Sequence, residues 1–169
     1  VSGATLTADF DARDASRALG AIARAGRQPG MLLKPIGAAL VRGVRDRMVS
    51  QVDPEGNPWE PLQPWYQAMK RNSRILTESG RLAGSIVAEV GGGTVAVGSK
   101  LPYAAVHQFS ATITAKNGGM LIFRTANGAA WGAAREVFVP ARPYLGISSA
   151  DERAIGEVVE AVLWRVARL

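Results

Sequence analysis

The chain has 169 residues and 17.8 kDa, with 47% apolar and 20% charged side chains, no cysteine and a formal charge of +6. That length suits one domain, 1–169, with a real core. The missing cysteines exclude disulfides and thiolate metal sites, and no run of about 18 apolar residues is present to span a bilayer. The first ten residues, VSGATLTADF, lack a basic region followed by an apolar one, so no secretory signal is expected.

The charge is uneven. Residues 17–81 hold eleven Lys or Arg against five Asp or Glu, and sixteen of the twenty basic residues are arginine. Arginine forks onto phosphate and carboxylate, so a surface facing nucleic acid or an acidic partner is one reading. A solvated basic face is the other. Little aromatic interleaving accompanies the basic residues, which favours the second.

In chain order, ATLTADF (4–10) alternates as a short strand does. Asp11 or Asp14 can then cap a helix to about Ala25, with Leu19 and Ile22 inward, and Gly26, Pro29 and Gly30 break it. From Met31 to Val52, the spacing of Leu33, Ile36, Leu40, Val44 and Met48 predicts a long amphipathic helix, with Arg42, Arg45 and Arg47 mostly off its apolar stripe. VDPEGNPWEPLQPW (52–65) carries four prolines and a glycine and is read as irregular. Trp59 and Leu62 in that loop are expected to plug it against the helix end.

Thr77 and Ser79 are candidate helix caps ahead of Leu82 and Ile86. Residues 85–91 and 94–99 read as a hairpin turned by Gly91, Gly92 and Gly93. Residues 110–137 carry β-branched runs broken by glycines, and read as an irregular β layer or an arm reaching beyond the subunit. Ser148 or Ser149 caps a last helix whose apolar face is Ile155, Val158, Val159, Val162, Leu163 and Val166. The fold class is therefore α+β: a small antiparallel sheet with a hairpin and an extended β arm, packed on a long N-terminal helix and a C-terminal helix.

Catalytic patterns fit poorly. One histidine without cysteine falls short of a zinc ligand set. No G-x-S-x-G elbow frames Ser79, Ser85 or Ser99, and no phosphate-loop motif appears. Glu152, Glu157 and Glu160 belong on the wet face of the last helix rather than in a cleft. His107 lies in PYAAVHQF beside Tyr103, Gln108 and Phe109. General base, metal ligand and pH sensor are alternatives for it, but a hydrogen-bonded packing role is the more economical reading.

Four segments then stand out together: DPEGNPWEPL (53–62), ILTESGRLAGSI (75–86), VAVGSKLPYAAVHQF (95–109) and VPARPYLGIS (139–148). In this order and spacing the chain resembles the phage virion morphogenesis family of Mu-like tailed phages, which is similar to tail-completion proteins, over roughly residues 30–168. Where that family tends to place glycine after H-Q-F, this chain has Ser110, which puts the turn there in doubt.

The resemblance implies a non-enzymatic virion protein, assembled in the host cytoplasm and sited at the head–tail junction or upper tail end. Such proteins commonly form hexameric rings, so the implied partners are further copies of this chain, neighbouring neck, portal-side or tail-tube proteins, and DNA passing nonspecifically through the channel. No cofactor, metal or membrane is implied. Structural or interface roles are expected for Trp59, Leu62, Tyr103, His107, Gln108, Phe109, Arg142, Pro143, Tyr144 and Leu145. For Arg142, an internal brace and a subunit contact stay open. The alternative is a basic nucleic-acid-binding or transient capsid-assembly factor, with Arg24, Arg27, Arg42, Arg45 and Arg47 as DNA-facing residues.

Overall fold

In the computed structural model, residues 12–124 and 130–167 are described, so the strand expected at 4–10 lies outside them. Helix α1 spans Ala12–Arg27 and α2 spans Gly30–Ser50. Single-turn helices α3 (Pro64–Gln67) and α4 (Arg81–Gly84) follow, then the hairpin β1 (Val87–Gly91) and β2 (Thr94–Gly98). Helix α5 (Ala104–Phe109) leads into β3 (Ala111–Thr114), β4 (Leu121–Arg124), β5 (Ala130–Ala134) and β6 (Glu136–Val139). The chain closes with α6 (Ser149–Ala167).

The long helix lies between α6 and the hairpin, with α1 against α6. Its apolar stripe forms the core as the spacing requires: Val44 and Met48 are buried with Trp59, Leu82, Ile86, Ala104 and Tyr144. Toward the other end, Val162 and Val166 of α6 pack with Leu32. Gly37 admits the hairpin to the helix surface. A Cβ there would stand 2.8 Å from the Ala88 Cβ and 3.0 Å from Val95 Cγ2, closer than normal packing allows.

All three sheets among the described residues are antiparallel pairs: β1 with β2, β3 with β6, and β4 with β5. With β4–β5 nested in sequence inside β3–β6, the described residues of this stretch, 111–124 and 130–139, fold back on themselves in two antiparallel pairs; this is the segment read from sequence as an irregular β layer or an arm. Ile122 and Phe138 on these strands are 53% and 66% exposed and line a cleft against residues 60–82.

Three local expectations are corrected. Leu19 and Ile22 are not inward: α1 is 16 residues long and they are 67% and 55% exposed. The helix instead meets α6 through the side bearing Arg24, whose Nη2 donates to the Val166 carbonyl at 2.6 Å. Thr77 and Ser79 do not cap α4; Gly80 holds that position in the left-handed region at φ 75°, with no side-chain cap bond. The proline-rich loop ends in regular structure, since Pro64 opens α3 from a first-turn position where its missing N–H costs nothing.

Candidate functional site

Segments 53–62, 104–109 and 139–148 converge beside the C-terminal end of α2. Gln108 clamps two of them. Its Oε1 accepts the backbone N–H of Tyr144 and of Leu145 at 3.1 and 3.0 Å, while Nε2 donates to the Leu145 carbonyl at 3.0 Å. Tyr144, 1% exposed, reaches under α5 and donates its hydroxyl to the Ala104 carbonyl at 3.0 Å. Burial pushes that phenol up from its ordinary pKa, which keeps it a donor.

Arg142 joins the third segment. Its backbone N–H donates to the His107 carbonyl at 2.7 Å. Its guanidinium donates through Nε to the Glu60 carbonyl at 2.8 Å and through Nη2 to the Pro61 carbonyl at 3.2 Å. The arginine is thus buried as a brace inside the chain. Trp59 completes the plug, its Nε1 donating to the Pro143 carbonyl at 2.8 Å while the ring sits in the core. A proline-rich stretch leaves carbonyls that no helix or sheet can satisfy, and these side chains supply the donors.

Below this junction lies a second, ionic one. Arg47 of α2 and Asp151 of α6 form a buried ion pair. Arg47 Nη2 also donates to the Gly146 carbonyl at 2.9 Å and Nε to the Tyr144 carbonyl at 3.3 Å. Asp151 Oδ2 accepts the Ser148 N–H at 2.9 Å and its hydroxyl at 2.8 Å, and Ser148 Oγ accepts the Asp151 N–H at 3.2 Å. That reciprocal arrangement is a capping box at the start of α6. Burial would raise the Asp151 pKa, but the Ser148 hydrogen bonds and Arg47 outweigh it and hold the carboxyl below its ordinary value. Gly43 makes room: a Cβ there would collide with Asp151 Oδ1.

His107 faces a cleft of about 670 Å³ between residues 60–82 and the arm, walled in part by Leu62, Trp65, Tyr66, Leu76 and Phe138. Its Nδ1 is buried without a hydrogen-bond partner. Burial, then the nearby Arg142 charge, lowers its pKa, so the imidazole is neutral near pH 7. Ser85 and Ser99, weighed above as nucleophiles, bond each other at 2.7 Å across the hairpin base. No group of three or more His, Asp or Glu among the described residues is placed to hold a metal, and no described helix is long and apolar enough to cross a membrane.

The comparisons bear on what such a junction serves. The phage virion morphogenesis family matches residues 10–164. The chain belongs to that family. It is 30% identical over 136 residues to the putative capsid assembly protein G of Escherichia phage Mu, covering 77% of this chain and 74% of that one. It is 29% identical over 127 residues to the Mu-like prophage FluMu G protein 2 of Haemophilus influenzae, covering 73% and 75%. No solved structure matches.

Within this family member, the residues singled out from sequence fall into three groups. Trp59, Arg142 and Tyr144 are buried, and Leu62, His107, Gln108, Pro143 and Leu145 are half-buried in the junction or cleft. Tyr103 and Phe109 are exposed, at 39% and 75%. Of the arginines read as DNA-facing, Arg27 and Arg42 are exposed, Arg24 holds α6, and exposed Arg45 donates to the Ala83 and Ile86 carbonyls at 3.3 and 3.2 Å. Arg47 is corrected outright. It is 6% exposed, because its position between Val44 and Met48 turns it inward onto Asp151.

Sequence reasoning missed Asp151. The signal was present in S-x-x-D over 148–151, a capping box at the mouth of an apolar-periodic stretch.

Proposed function

We propose that this chain is a non-enzymatic structural subunit that closes into a homo-oligomeric ring at the head–tail junction or upper tail end during virion assembly. The observation that carries the reading is the arm rooted in a braced junction. A two-stranded ribbon is marginal by itself in water, and this one leaves Ile122 and Phe138 exposed in the cleft it shares with residues 60–82, with Phe109 exposed at its base. Its two ends are fixed by α5 and by Arg142, so a contact made by the ribbon is transmitted to the body. Heterologous contacts of that kind generate rings when the rotation closes.

His107 on this reading belongs to the brace, and its cleft serves protein contact rather than turnover. A second reading, transient service in capsid assembly, is favoured by the likeness to the putative capsid assembly protein G of phage Mu. Localising the chain in purified particles separates the two. A ring at the neck or upper tail supports the first, whereas presence in immature heads and absence from virions supports the second and overturns the first.

A further inference from the structure

None of residues 111–124 and 132–141 is buried, whereas Ala104 before them and Arg142 after them are. The strands of the arm pair with one another, β3 with β6 and β4 with β5. A cleft of about 670 Å³ lies between the arm and residues 60–82. The arm is therefore joined to the core through its two roots, and what happens at those roots sets its orientation.

The roots run side by side between two fixed rungs. On the body side, the Arg142 N–H donates to the His107 carbonyl, and Gln108 is clamped by its three bonds to Tyr144 and Leu145. On the arm side, Ala111 pairs with Val139. Ser110 is the single residue between α5 and β3, and it absorbs the mismatch at φ 67° and ψ 159°. Its Cβ makes that region costly, and such strain persists only where the surroundings impose it. The ψ is already that of extended backbone, so φ alone is displaced. Turning the one N–Cα bond brings Ser110 into the region open to every residue. Across the hinge line, Pro140 has no N–H to give and Ala141 is exposed.

We propose that Ser110 is a loaded hinge. The free subunit holds the arm in its present orientation with Ser110 strained. When the arm meets a neighbouring copy, the N–Cα bond turns, the arm swings as a unit, and release of the strain adds to the drive for assembly. A neighbour shifts this equilibrium to the extent that it contacts the swung arm better than the resting one. The strain lowers the cost of that change by raising the energy of the resting state. This rests on the ring reading above and supplies the conformational step that reading needs.

Ser110→Gly tests it, because glycine tolerates the resting φ without strain. Association is read by sedimentation of the full chain and by incorporation into particles when the variant is the only copy supplied. Ser110→Gly is expected to weaken association at least about fivefold while the isolated subunit folds more stably. Ser110→Ala keeps the Cβ without the hydroxyl and is expected to associate as the unmodified chain does. The cysteine-free sequence allows a second readout. Spin labels on Ser79→Cys and Thr112→Cys, both exposed sites, report the distance between body and arm. That distance is expected to change when labelled subunits join unlabelled ones. A glycine variant that associates as well as the unmodified chain or better, or a label distance that assembly leaves unchanged, overturns the hinge and leaves the ring standing. Equal loss in Ser110→Ala assigns the effect to the hydroxyl and overturns the hinge too. Protein that stays monomeric at every concentration, and is not in rings in particles, overturns both.

Discussion

Removing one member of the Arg47–Asp151 pair strands the other charge in the interior, where burial is costly without a partner. Asp151→Ala is expected to destabilise the protein by about 3–5 kcal/mol in urea unfolding. Because the folded pKa of Asp151 is depressed, its contribution is present above about pH 4 and fades as pH falls through the folded value. His107 acts in the same sense. Its folded pKa is also lowered, so the unfolded chain takes up the proton first and stability falls as pH drops below about 6.5. His107→Gln should flatten the stability profile between pH 7 and 5; an unchanged slope there would show that the imidazole carries no such burden.

Ser110 is the other residue whose local chemistry is decisive. It sits at φ 67° and ψ 159°, a region nearly reserved for glycine, at the point where α5 gives way to the arm. Glycine there would relieve the strain. Ser110→Gly is expected to raise stability by about 1 kcal/mol or more, read from the urea midpoint at constant slope. A loss of stability would mean that the hydroxyl makes up for the strain.

At the scale of elements, the proposed function divides the chain into an arm that makes contacts and a body that folds. The core draws on α2, Trp59, Leu82, Ile86, Ala104 and Tyr144, none of them in the ribbon. Replacing 112–138 with a short Gly-Ser linker should therefore leave a cooperatively folding body that no longer assembles. Loss of folding would place the arm in the core instead. Much of this division was legible in the sequence, because the period of Leu33 to Met48, the Gly91–Gly93 turn and the glycine-broken β runs each follow from local physics.

What stayed hidden was tertiary. Nothing local says that Arg47 finds Asp151 a hundred residues on, or that Gln108 reads the backbone of Tyr144 and Leu145. The outward turn of Leu19 and Ile22 was equally hidden, since periodicity gives a face but not its direction. The convergence of 53–62, 104–109 and 139–148 was hidden too: the resemblance to a family marked segments 53–62, 95–109 and 139–148, but nothing in their own propensities brings them together.

For the whole molecule, the response to salt separates assembly from nucleic-acid binding. The basic excess of residues 17–81 is partly consumed internally, by Arg47, Arg45 and Arg24. Contacts built on apolar and aromatic side chains should outlast rising salt, whereas phosphate contacts lose about 10³–10⁵ in affinity between 50 and 200 mM salt when six to ten are made. Self-association that persists over that range, with DNA binding weak or abolished, is expected in sedimentation and filter binding. The most direct measurement is cryo-electron microscopy of intact virions with this chain located in the map. Density for a closed ring of this fold at the neck or upper tail is the expected result; virions that lack the chain altogether would contradict it.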